Sequence, residues 1–257
     1  MFESVKYFLI DIDGTVCLDS NIIDGTVEFL DAVKKSGRDY CFLTNNSSTC
    51  DEDSAKRLSK MGINVSESKI INSADITADY INKNYKNKSV FLVGNEKLAN
   101  TFEKSGITLV NDNPDIVVVG LDNTLTYDKV YKAANYIING AIYLATHPDK
   151  NCPTANGVMP DAGSIIELFY ASTNKKPQVL GKPYTPTVDY VTNYLNCTRN
   201  ELAFVGDRLE ADIATGFNHG LTSVLVYSGI TNPEMYRKSP IRATVAVDRL
   251  YSLIKYL

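Results

Sequence analysis

Tyr7-Phe8-Leu9-Ile10-Asp11-Ile12-Asp13-Gly14-Thr15 runs a short apolar stretch straight into two carboxylates and a glycine. Continuous rather than alternating hydrophobicity over so few residues predicts a strand buried on both faces, as in a parallel sheet. In open α/β sheets, ligands bind where such strands end. Asp11 and Asp13, two positions apart, point to the same side of an extended chain. Like charges that close are costly unless a cation shares the site or one carboxyl keeps its proton. Gly14 permits a sharp turn with no Cβ clash. Alone, the stretch also fits a calcium loop or a solvated turn. An EF-hand, however, needs more oxygen ligands and a closing glutamate, and here Val16-Cys17-Leu18 follows instead.

Similar apolar runs recur at Tyr40 to Leu43, Val90 to Val93, Ile116 to Val119, Leu202 to Val205 and Val224 to Val226. Between them lie helix-period stretches that end at glycines suited to a C-cap: Val27 to Ser36 before Gly37, Ala55 to Met61 before Gly62, Leu98 to Ser105 before Gly106, and Val130 to Asn139 before Gly140. This alternation predicts an α/β fold, a doubly wound Rossmann-like core with a parallel sheet.

With 257 residues, 44% of them hydrophobic and 22% charged, the chain has the proportions of a compact globular protein. Its net charge of -4 is spread over interleaved acids and bases, so no basic run predicts a nucleic-acid partner. Five cysteines without a CxxC pair fit free thiols in a reducing compartment. The opening residues lack a basic segment and turn acidic after a short apolar run, which predicts neither a signal peptide nor a membrane span. Cytoplasm is the expected location.

Three more segments place reactive groups at or near strand ends. Phe42-Leu43-Thr44-Asn45-Asn46-Ser47-Ser48 offers hydroxyls and backbone N–H groups that can hold phosphate oxygens, although it also reads as an ordinary helix N-cap. Gly181-Lys182-Pro183 carries a lysine that could clamp a phosphoryl group, or simply lie in solvent. Val205-Gly206-Asp207-Arg208-Leu209-Glu210-Ala211-Asp212-Ile213 puts Asp207 where a magnesium ligand is needed, with Asp212 able to support it from behind. Each acid alone could equally complement a helix dipole.

In this order, the four segments resemble the signature motifs of the haloacid dehalogenase superfamily. The middle of the chain resembles the type C2 cap of subfamily IIA, the nitrophenylphosphatase and ribonucleotide monophosphatase-like branch. The match is carried by Asp115 to Asp122, Leu125-Thr126-Tyr127, Ala145-Thr146-His147-Pro148-Asp149 and Ala162-Gly163-Ser164. His147 departs from the branch, where asparagine commonly precedes Pro-Asp, and Asp161 replaces a usual glycine. The resemblance implies a core formed by residues 1–75 and 178–257, with an inserted α/β C2a cap at 76–177.

It further implies a magnesium-dependent phosphatase for a small phosphorylated metabolite: a nucleotide monophosphate, sugar phosphate, phosphoglycolate or nitrophenyl phosphate. Asp11 would be the nucleophile and Asp13 the acid and then the base. Thr44, Asn45 and Lys182 would bind phosphate oxygens. Mg2+ would be held by Asp11, the Asp13 carbonyl and Asp207, with Asp212 behind. An aspartate at position 13 resembles phosphatases and phosphomutases rather than pumping ATPases. Thr146, His147, Asp149 and Asn151 are the candidates for substrate choice, and the branch allows a homodimer through the cap. A phosphotransferase or phosphomutase, or a non-catalytic phosphometabolite-binding protein, is the competing reading.

Overall fold

The computed structural model describes residues 2–154 and 157–257. They form two compact units: one of residues up to Thr44 with Asp51–Ile71 and Val188–Leu257, the other of Asn45–Cys50 with Asn72–Thr187.

A six-stranded sheet organises the first unit, in the order Val245–Val247, Thr222–Val226, Leu202–Gly206, Tyr7–Ile10, Asp39–Thr44 and Ile70–Asn72. Tyr7–Ile10 is parallel to both neighbours, Ile10 standing opposite Val205 on one side and Phe42 on the other. From Tyr7–Ile10 the chain builds the sheet outward on one side and later returns to build the other. The end of this strand is therefore the point where strand order reverses, the place such sheets use for ligands. Phe8, Ile10, Phe29, Phe42 and Leu58 are fully enclosed beneath it. Phe8 packs edge-to-face on Phe2 and Phe29, with centroids 5.4 and 5.8 Å away, a favoured geometry for aromatic pairs. The Arg38 guanidinium donates to the carbonyls of Phe2, Val5 and Leu257 at 2.9–3.0 Å, tying both chain termini to the sheet.

In the second unit, a four-stranded parallel sheet runs in the order Gln178–Val179, Ile142–Ala145, Ile116–Val119 and Val90–Val93. All four residues of Ile116–Val119 are buried, as their unbroken hydrophobicity predicts. Phe91, Val117, Ile137, Ile165 and Phe169 form its core. An antiparallel hairpin, Asn151–Thr154 with Gly157–Pro160, leads into the helix Ala162–Thr173. The six apolar runs of the sequence are thus all strands, divided between two sheets.

The predicted helices are observed, and Gly37, Gly62, Gly106 and Gly140 all take the left-handed conformation expected after a helix C-terminus. Three of the helices begin two to four residues before the apolar periodicity does, at Asp51, Glu96 and Tyr127. Their first turns are polar. Asp51, Glu52 and Asp53, for example, complement the positive end of the helix dipole without contributing to an apolar face.

Candidate active site

Asp11 is the first residue after Tyr7–Ile10, and its N–H donates to the Val205 carbonyl at 2.8 Å. Asp207 is the first residue after Leu202–Gly206 and is fully buried. Because Ile10 and Val205 are in register, the two acids emerge side by side. The π-helical turn Leu209–Ile213 brings a third acid back to them: Asp212 accepts the Arg208 N–H at 3.0 Å. One oxygen from each of Asp11, Asp207 and Asp212 lies within 4.8 Å of the others. Three mostly buried carboxylates at this spacing call for a shared cation or for protons. An all-oxygen donor set suits a hard ion such as Mg2+.

Glycines let the backbone close around these acids. A Cβ at Gly14, whose φ is +91°, would lie 2.5 Å from the nearer Asp207 carboxylate oxygen. One at Gly229 would lie 2.0 Å from the same oxygen, and one at Gly206 would lie 2.1 Å from Asp212 Cγ. Asp207 Oδ2 accepts the Ile230 N–H at 2.6 Å, and the Ser228 hydroxyl donates to the Gly14 carbonyl at 2.8 Å. The segment after Val226 therefore clamps Asp207 from one side and the turn after Asp13 from the other.

Asp13 faces a different partner. Its Oδ1 lies 2.6 Å from Arg57 Nη2, and its side chain is 41% exposed. The same nitrogen donates to the Asp19 carbonyl at 2.7 Å. Sequence reasoning missed Arg57, since an arginine on a charged helix reads as a solvated face. Thr44, the last residue of Asp39–Thr44, is 6% exposed.

Asn45 and Lys182 meet in the second unit, 137 positions apart in the chain. Asn45 Oδ1 accepts the Lys182 N–H at 2.9 Å, while its amide donates to the Lys182 carbonyl and to Asp149 Oδ2, both at 3.1 Å. Lys182 is 3% exposed, so its long side chain is not a solvated one. Thr146 and His147 are fully buried. The Thr146 hydroxyl donates to Ser47 Oγ at 3.1 Å. Of the four residues assigned to substrate choice, Asn151 alone is exposed. Thr146 and His147 can shape a binding surface only from beneath.

The thiols differ in burial. Burial pushes Cys17 up to about 11, opposed by Arg57, and Cys41 likewise up to about 11, opposed by Lys69. Cys50, Cys152 and Cys197 are partly exposed. Since the thiolate is the reactive form, a thiol-reagent titration of native protein near pH 8 should leave Cys17 and Cys41 unmodified until denaturant is added. Rapid modification of all five cysteines in the native protein would contradict this.

The acidic cluster stands where the strand order of a doubly wound α/β sheet reverses, the ligand-binding position of that class of fold, and comparison identifies its family. The chain belongs to the haloacid dehalogenase-like hydrolases. Residues 8–108 match the haloacid dehalogenase-like hydrolase model and residues 179–253 a second, HAD-hydrolase-like one. The chain is 32% identical over 255 residues to the 5'-nucleotidase YutF of Bacillus subtilis strain 168, covering 99% of this chain and 100% of that protein. It is 31% identical to the acid sugar phosphatase of Staphylococcus haemolyticus, covering 99% and 97% respectively. The crystal structure of 4-nitrophenylphosphatase from Thermotoga maritima superposes with a TM-score of 0.95 at 37% identity, covering 99% of this chain and 98% of that one. Among the described residues, no helix is long and apolar enough to cross a membrane.

Proposed function

We propose that this family member hydrolyses small phosphate monoesters through a phosphoenzyme formed on Asp11. Its relatives are named for the release of phosphate from nucleotides, sugars and nitrophenol, and the chain is a phosphoric monoester hydrolase of the same kind. The observation that carries the mechanism is the cluster of Asp11, Asp207 and Asp212.

A carboxylate oxygen of Asp11 attacks phosphorus in line, and the bond to the leaving oxygen breaks as Asp13 delivers its proton. Asp13 then takes a proton from water, whose oxygen attacks the acyl phosphate, freeing Asp11 and inorganic phosphate. Before it can act, Asp13 has to part from Arg57. The donor set of Asp11, Asp207 and the Asp13 carbonyl, backed by Asp212, would hold Mg2+, which when bound offsets repulsion between the Asp11 carboxylate and an anionic substrate. Thr44, Asn45 and Lys182 are the proposed donors to the phosphoryl oxygens, where charge accumulates.

Residues 76–177 are the proposed cap, with substrate choice set by Thr146, His147, Asp149 and Asn151. A small phosphorylated metabolite as partner, no nucleic acid or membrane, a homodimer through the cap and a cytoplasmic location complete the reading.

The test is a phosphate-release panel of nucleoside monophosphates, sugar phosphates, phosphoglycolate and nitrophenyl phosphate with Mg2+ and no acceptor. Turnover supports hydrolysis. Release that needs an added alcohol points to transfer, and tight binding without turnover points to a sensor. Lys182→Ala should raise KM and lower kcat together, costing about 10²- to 10³-fold in kcat, as loss of a preorganised oxyanion donor does. Unchanged constants would remove Lys182 from the site.

A further inference from the structure

The second unit holds a group of potential metal ligands of its own: His147, Asp149 and Asp161, with donor atoms within 4.8 Å of one another. His147 is fully buried, and neither ring nitrogen has a hydrogen-bond partner among the described residues. Both face carboxylates. Nε2 is 3.4 Å from Asp161 Oδ1, and Nδ1 is 3.7 Å from Asp149 Oδ2. A ring with two N–H groups would donate to both carboxylates, whereas one with a single N–H satisfies one of them and turns its lone pair on the other. A bare lone pair against a carboxylate, away from water, is unfavourable.

A cation on the lone-pair side removes the conflict. We propose that His147 Nε2 and Asp161 ligate a divalent transition ion such as Zn2+ or Co2+, with Asp149 receiving the Nδ1 proton. The 3.4 Å separation of Nε2 and Oδ1 equals the edge of a tetrahedron whose metal–ligand bonds are about 2.1 Å. A carboxylate accepting from the far nitrogen is the usual support for a ligating histidine, since it fixes the tautomer. Imidazole nitrogen favours borderline ions over Mg2+, which separates this site from the all-oxygen cluster.

The donors are held ready by bonds that owe nothing to an ion. Asp161 N–H donates to the Lys150 carbonyl at 3.0 Å, Gly163 N–H to the Asp149 carbonyl at 2.8 Å, and Ala162 N–H to Asp161 Oδ1 at 2.6 Å. His147 precedes the strand Asn151–Thr154 and Asp161 follows its partner strand Gly157–Pro160, so the ion ties together residues that flank the strand pair. Asp149 also accepts from Asn45, whose amide holds the Lys182 backbone, so the site borders that pairing. The inference does not depend on which residue is the nucleophile.

The test is Co2+ binding by the whole chain in excess Mg2+, which occupies the oxygen-only cluster. About one Co2+ should remain bound per chain in wild type and about none in His147→Asn or Asp161→Asn, while Asp149→Asn should weaken binding about 10- to 100-fold. In wild type a single imidazole N–H resonance should be hyperfine-shifted by Co2+. The chain has two histidines, and the other, His219, has Nδ1 against the Thr215 carbonyl at 2.8 Å, so assignment needs only a His219→Gln comparison. This readout uses the unmutated site and survives misfolding of either ligand variant. No shifted histidine resonance, or equal Co2+ retention in wild type and a folded His147→Asn, overturns the proposal. So does a ring that keeps protons on both nitrogens in Co2+.

Discussion

Asp11→Asn is expected to lower phosphate release by at least about 10³-fold, as loss of a covalent nucleophile does, while leaving the protein at least as stable as wild type in metal-free buffer. The amide is nearly the same size and shape as the carboxylate, and the backbone N–H that bonds the Val205 carbonyl is untouched. What changes is charge. Asp11 shares a space under 5 Å across with Asp207 and Asp212, and removing one of three like charges relieves repulsion that folding otherwise has to bear. The same change weakens the cation site, so Mg2+ should raise the melting temperature of wild type more than that of the variant. Phosphate release and melting curves with and without Mg2+ check both halves. Residual turnover above about a tenth would remove Asp11 as nucleophile, and a large loss of stability without metal would show that its carboxylate is structural.

The strand ends were legible because chemistry and hydrophobicity change at the same residue. Ile10 gives way to Asp11 and Gly206 to Asp207, and parallel register then places those acids side by side. No contact needed to be foreseen. Arg57 and Asp13 are 44 positions apart, and nothing local marks that arginine as the one that reaches Asp13. The sequence marks Asn45 only as a phosphate-binding residue, yet its side chain also bonds both backbone groups of Lys182. An amide can imitate a strand neighbour in this way wherever the fold brings it alongside, and composition carries no trace of it.

Hydrophobicity identified strands without saying which sheet each one joins, since Ile116–Val119 and Leu202–Gly206 are equally apolar and equally enclosed. The strand pair Asn151–Thr154 and Gly157–Pro160 shows no apolar pattern because Gly157–Pro160 is mostly exposed. Ser73–Asn84 starts within one residue of a strand, on a capping box between Asn72 and Asp75. Such boundaries are set by side-chain bonds to the backbone rather than by periodicity. His147 and Asp161 were each visible as departures from a family pattern. Only the structure brings them to 3.4 Å.

Gly229→Ala should act on the cation site through space alone. The added Cβ would lie 2.0 Å from Asp207 Oδ2 and 2.8 Å from Asp207 Cβ, far inside van der Waals contact. Asp207 is fully buried and its Oδ2 already holds the Ile230 N–H at 2.6 Å, so the carboxylate can yield only by leaving its position among the acids. The expected result is a fall in apparent Mg2+ affinity of about 10- to 100-fold, the cost of disturbing a ligand's supporting shell. Overpacking should cost about 1–3 kcal/mol of stability as well. Gly37→Ala is the control. Its Cβ would meet nothing within 4 Å, and its φ of +79° makes the change strained by backbone alone, costing about 1–2 kcal/mol. Both variants should melt earlier, but Gly229→Ala alone should need more Mg2+ for half-maximal phosphate release. Equal Mg2+ requirements in the two would mean that the close approach of Gly229 to Asp207 serves packing and not the placement of a metal ligand.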